Sequence, residues 1–172
     1  MSITNQQITN VIHQYTRALD LLDDYDHQRL RADIKESKPA YKISYPEARA
    51  AIDELGKQTH FEGLFGREKD DSFKGSLENI FQTFDGEDLY PSIEEKAAHL
   101  LYFVVKNHSF TDGNKRIAAF LFIWFLDLNH LLFDENGHKR MADESLVALT
   151  LMIAESHPND KDMMVKVVVN LI

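Results

Sequence analysis

The stretch HSFTDGNKRIAAFLFIWFL, residues 108–126, joins nine mostly polar residues to ten apolar ones. A run of ten is too short to cross a bilayer, which takes about 20 residues, and suits about three turns of buried helix. Apolar residues on every side of the run predict a central helix covered all round. Its start falls near Asp112 to Asn114. A helix N-terminus presents unpaired N–H groups and the positive end of the dipole, which suits a phosphate. Gly113 lets another group approach the backbone closely. Lys115 and Arg116 put two cations into the first turn, where cations are unfavourable unless an anion arrives from outside. Asp112 is a hard oxygen ligand, and one carboxylate together with substrate phosphates is a usual way of holding Mg²⁺. His108, at the end of the preceding helix, is placed to take a proton from a hydroxyl near neutral pH. Taken singly, each residue has a plainer role: Asp112 as N-cap, His108 as a C-terminal helix residue, Phe110 as a core anchor, Lys115 and Arg116 as solvated charges. Their concurrence at one junction between helices points to a site.

The rest of the chain sets bounds on that site. A length of 172 residues is enough for one domain with a substantial core. A net charge of −9, with no block of Lys and Arg, argues against an electrostatic nucleic-acid binder. The absence of Cys excludes disulfides and thiolate metal sites and fits a reducing compartment. The first ten residues do not read as a secretory signal, so the expected location is cytoplasmic, with no membrane association. His99, His130 and His138 have no partners at metal-ligand spacing, and Trp124 reads as core.

Helical periodicity dominates. Ile3, Ile8, Val11, Ile12, Tyr15, Leu19 and Leu22 predict an amphipathic helix over 3–24. Residues 25–43 read as loop. Ser44 and Glu47 form a capping-box pattern, and Gly56 is expected to end that helix at Leu55. Residues 63–75 read as loop, with a short apolar pattern behind them. Ser92 and Glu95 form a second capping-box pattern, opening a helix with a wide apolar face. Residues 131–140, with Asn136-Gly137, predict a turn or short hairpin. Two further helices are expected near 143–156 and 160–171, separated by Pro158. The expected fold is all-α with one small hairpin. Residues 1–64 are read as an N-terminal helical extension covering a core of residues 65–172, with a partner-binding or oligomerisation arm as the alternative.

The nine residues His108, Phe110, Asp112, Gly113, Asn114, Lys115 and Arg116, with Ser109 and Thr111 between, resemble the signature of the Fic/Doc (Fido) superfamily, written H-x-F-x-[D/E]-G-N-[G/K]-R. Every fixed position is present. The resemblance implies a helical core with a β-hairpin flap ahead of the motif that aligns a target segment by strand pairing. The stretch 71–79 is the flap candidate, with Ser72, Phe73, Lys74, Gly75 and Ser76 as target-docking residues. The resemblance further implies ATP as substrate and Mg²⁺ as cofactor. It assigns His108 as general base, Asp112 as Mg²⁺ ligand and Phe110 as buried anchor. Gly113, Asn114, Lys115 and Arg116 become the nucleotide and phosphate site. The implied activity is transfer of a phosphate-containing group to a Ser, Thr or Tyr hydroxyl of a protein.

Two positions bear on which group is transferred. Adenylyl-transferring members carry Gly where this chain has Lys115, and a second Arg where it has Ala119. In both respects the chain resembles the Doc toxin branch, which implies phosphoryl transfer, with elongation factor Tu as target and an antitoxin as inhibitory partner. AMP transfer is the second reading. A non-catalytic Fic-like binding or regulatory module is the third. An inhibitory helix of pattern [S/T]-x-x-x-E-[G/N] is not assigned, since its nearest match, Thr83 to Asp88, contains Gly86 and ends in Asp.

Overall fold

The elements of the computed structural model, which describes residues 2, 4–32, 36–61 and 63–172, are α1 (Asn5–Asp26), α2 (Tyr45–Thr59), α3 (Ser72–Asn79), β1 (Thr83–Phe84), β2 (Glu87–Asp88), α4 (Ile93–Asn107), α5 (Asn114–Leu128), α6 (Asp143–Glu155) and α7 (Lys161–Leu171). The architecture is all-α with one small hairpin, as the sequence predicts. No described helix is long and apolar enough to cross a membrane.

The chain divides into two compact units, Met1–Arg31 and Ala32–Ile172. In the first, Thr4 caps α1 through a reciprocal pair of bonds with Gln7. The helix has an apolar stripe at the predicted spacing, and none of its residues is buried. Ile3, which opens the predicted pattern, lies outside the described residues, as do residues 33–35 of the predicted loop.

In the second unit, Ser92 starts the central helix. Its hydroxyl accepts from the Glu95 amide at 3.0 Å, and the Glu95 carboxylate accepts from the Ser92 amide at 3.3 Å, the predicted capping box. α4 is buried on most of its circumference and packs along α5, with α3, α6 and α7 around it. Ser44 and Glu47 cap α2 in the same manner. Ala48 and Ile52 of α2 belong to the same buried cluster as α4 and α5. α2 does not stop at Gly56, as predicted, but continues to Thr59 and ends where His60 turns left-handed.

α5 departs from expectation in its surroundings. Ile117, Ala118, Leu121, Phe122, Phe125 and Leu126 are buried, whereas Ala119, Phe120, Ile123 and Trp124 are only half-buried. The helix is therefore covered on one broad face, and Trp124 lies at the edge of the core, stacked on Phe120 at 5.9 Å.

The small hairpin pairs Thr83 with Asp88 and Phe84 with Glu87. Asp85 and Gly86 both have positive φ, as a tight two-residue hairpin turn requires. The base of the hairpin is fixed to α4 by Lys96, whose side chain is 2 % exposed. The Lys96 ammonium donates to the Asp88 carboxylate at 3.0 Å and to the Tyr90 carbonyl at 2.5 Å. The buried charge thus has both a counter-ion and a second acceptor. The turn predicted in 131–140 closes with a single bridge, Phe133 to Lys139.

Candidate functional site

The loop between α4 and α5, residues 108–113, is held as if it were a strand. Bridges join Glu68 to Phe110 and Phe65 to Asp112. The Lys69 amide donates to the Ser109 carbonyl at 2.8 Å, the Thr111 amide to the Arg67 carbonyl at 2.8 Å, and the Gly66 amide to the Asp112 carbonyl at 3.0 Å. The partner segment, residues 65–69, is itself fastened to α2. The Tyr45 hydroxyl donates to the Glu68 carboxylate at 2.6 Å, raising the tyrosine pKa, and Arg49 donates to the Gly66 carbonyl at 2.8 Å.

Within the loop, Phe110 is fully buried and packs on Phe73 at 4.9 Å between ring centroids. The Asn114 side chain closes the turn from both sides. Its Oδ1 accepts from the Phe110 amide at 2.9 Å, and its Nδ2 donates to the Phe110 carbonyl at 2.8 Å. His108 terminates α4 in a left-handed conformation, φ 47° and ψ 46°. Its side chain is exposed. Asn107 and Ser109 on either side of it bond to α3, at Ser76 and Ser72 respectively.

The N-cap of α5 is Gly113, at φ 94°, and no side chain caps the helix. Asp112 therefore does not act as the N-cap. Its carboxylate accepts two bonds of 3.1 Å from Arg116, one turn on, and both side chains are about half-exposed. The Arg116 guanidinium also lies over two rings, 4.3 Å from the Phe61 centroid and 5.0 Å from that of Phe65. Lys115 is exposed on the same first turn. An uncapped helix start with two cations on its first turn, and one carboxylate and an exposed imidazole in the loop before it, thus lie within nine residues, an arrangement able to receive a phosphate ester and a hydroxyl. Asp112 fits a cation held mainly by phosphates. The described residues contain no cluster of three or more acidic, His or Cys side chains that would form an all-protein cage.

The flap candidate requires correction. Ser72, Phe73, Lys74, Gly75 and Ser76 lie on α3, a helix, and Phe73, Ser76 and Leu77 are buried in the core. Strand pairing with a target is closed to them. Phe73 and Leu77, one turn apart, drive the helix by burying the same face. The hairpin instead spans Thr83–Asp88, with Phe84 80 % exposed on it. Sequence reasoning also missed Phe61 and Phe65, which form the aromatic bed under Arg116. The available signal was two aromatic residues four positions apart beside a glycine- and charge-rich stretch.

The model of the Fic/DOC family matches residues 20–126, a span that takes in α2, α3, the hairpin, α4, the loop and α5 as far as Leu126. No curated protein and no solved structure matches the chain.

Proposed function

The chain belongs to the Fic/DOC family, and we propose that it transfers the γ-phosphoryl group of ATP to a hydroxyl of another protein. Members of the family in general are transferases that modify proteins with phosphate-containing groups. The observation that carries the proposal is the start of α5, which lacks a side-chain cap and has Lys115 and Arg116 on its first turn, one short loop from the exposed His108.

His108 acts as the general base. It takes the proton of the target hydroxyl as the oxygen attacks the γ-phosphorus, and the bond to the β-phosphate oxygen breaks to release ADP. The free amides of the first turn and the Arg116 guanidinium receive phosphate oxygens. Arg116 must then exchange its bonds to Asp112 for bonds to phosphate, which frees the carboxylate. Mg²⁺, when bound, would neutralise phosphate charge, and Asp112 is the residue that would hold it. Gly113 and Asn114 fix the backbone that carries these groups. The hairpin Thr83–Asp88, not residues 72–76, takes the docking role that the resemblance implies. Phosphoryl transfer is preferred on the resemblance of Lys115 and Ala119 to the Doc branch, which also suggests elongation factor Tu as target and an antitoxin as regulator. AMP transfer is the second reading, supported by the exposure of Lys115, which leaves the helix start open to an α-phosphate.

Parallel incubation of the protein with α-labelled and γ-labelled ATP in a bacterial lysate separates these readings. Label from γ-labelled ATP alone is expected. Label from α-labelled ATP alone would establish AMP transfer, and label from neither would favour a non-catalytic binding module.

A further inference from the structure

His108 differs from its neighbours in how little holds it. Its left-handed backbone is one that a residue with a side chain adopts only at a cost of about 1 kcal/mol. Its exposed imidazole makes no hydrogen bond or ion pair with the described residues. Its neighbours in sequence are tied. The Lys106 ammonium donates to the Ser156 carbonyl at 2.5 Å. The Asn107 side-chain amide donates to the Ser76 hydroxyl at 2.7 Å, and that hydroxyl donates to the Ser72 carbonyl at 3.2 Å. The Ser109 and Ser72 hydroxyls share a bond of 2.6 Å, and Ser109 is fully buried. The two residues flanking His108 are thus fastened to two serines one turn apart on α3. Ser76 and Ser109 are both buried, so water does not readily replace a lost partner there.

We propose that Ser72 and Ser76 are positioning residues for His108, holding its backbone left-handed by clamping Ser109 and Asn107 and so fixing the direction of the imidazole. Neither serine touches a reacting atom. The inference rests on the reading of His108 as base. A catalytic group misplaced by about 1 Å can lose 10²-fold in rate. Loosening one of two clamps is expected to lose about tenfold.

The test uses the full chain with Ser76→Ala, Asn107→Ala and their double variant, alongside Ser72→Ala, Ser109→Ala and theirs. The maximum rate of label transfer from ATP into a bacterial lysate is measured together with KM for ATP. Each single variant should lower the maximum rate about tenfold with KM changed less than about twofold. Each double variant should be no slower than its singles, because both lose the same bond. Unchanged rates, a loss confined to KM, or losses that multiply within a pair would overturn the proposal. Asn107 is exposed, so Asn107→Ala carries the test even if Ser76→Ala fails to fold. His108→Ala separates the two levels: retained transfer in that variant overturns the reading of His108 itself, whereas lost transfer with neutral serine variants overturns only the clamp. Independently of any target, the His108 backbone amide should give one sharp NMR signal in the parent protein and an exchange-broadened one in Asn107→Ala. Equal linewidths would overturn the clamp.

Discussion

The ring of Phe65 lies against the backbone of Gly113. A Cβ built on the glycine would stand 2.5 Å from both Cδ2 and Cε2 of that ring, and the glycine φ of +94° is itself unfavourable for any residue with a side chain. The same ring lies under the Arg116 guanidinium. Glycine, ring and guanidinium therefore depend on one another, and the close approach that Gly113 permits is already used from within the chain.

Gly113→Ala should consequently destabilise the protein by about 1–3 kcal/mol, through backbone strain and the displaced ring. Urea unfolding measures this directly. Phe65→Ala removes the obstacle, so the alanine at 113 should do less harm in that background than alone. Additive effects of the two changes would show that the contact between ring and glycine does not determine the loop.

Asp112→Asn separates a cation ligand from a structural acid. Gly113 is the N-cap, so no cap is lost. The Arg116 pair is half-exposed and spaced four residues apart, a type worth about 0.3–0.5 kcal/mol. The melting temperature should move by no more than a few degrees, while transfer falls sharply and its Mg²⁺ requirement rises. Parent-like transfer at limiting Mg²⁺ would remove Asp112 from the cation site.

What could be read from the sequence was local. The capping boxes at Ser44–Glu47 and Ser92–Glu95 need only residues three apart, and both form as predicted. Residues 108–116 stand out in the sequence because two cations crowd one helix start. What escaped was set by distant partners. Gly56 looked like a helix stop, yet α2 runs through it, and a Cβ there would stand 3.3 Å from the Phe65 ring. Gly75 and its charged neighbours looked like loop, yet burial of Phe73 and Leu77 outweighs the weak propensity of that stretch. Pairing of residues 65–69 with the 108–113 loop joins segments about forty residues apart, and nothing local specifies it.

His99 gives a pH dependence of stability. Its ring is stacked on Tyr90 at 3.6 Å, and Nδ1 lies 2.8 Å from the Glu95 carbonyl. Burial lowers its pKa from 6.5 to about 4. Between those values the unfolded chain binds a proton that the folded chain does not, so stability falls as pH drops from 6.5 towards 4. The full loss is on the order of 3 kcal/mol. In His99→Phe, which keeps a stacking ring without a titrating group, the plot of melting temperature against pH should be flatter over that window. Parallel curves for the two proteins would rule out His99 as the source.

The proposed choice of γ-phosphoryl over AMP transfer rests on Lys115. It follows Asn114 on the first turn of α5, and Ala119 lies one turn further along the same face. In the proposed reading, the ammonium and its long side chain occupy the space and charge that an α-phosphate would need, so nucleotide orientation is set by exclusion. Lys115→Gly should reduce γ-phosphoryl transfer by opening that space. AMP transfer should emerge weakly in this variant, because Ala119 supplies no second arginine. Ala119 is half-buried at the margin of the core, so a long side chain there can reach solvent, and Lys115→Gly combined with Ala119→Arg should strengthen AMP transfer. Mass spectrometry of the modified target distinguishes the two adducts by mass. AMP adducts formed by the unaltered protein would overturn the phosphoryl reading and establish the alternative. Undiminished γ-phosphoryl transfer in Lys115→Gly would show that orientation is set elsewhere in the site.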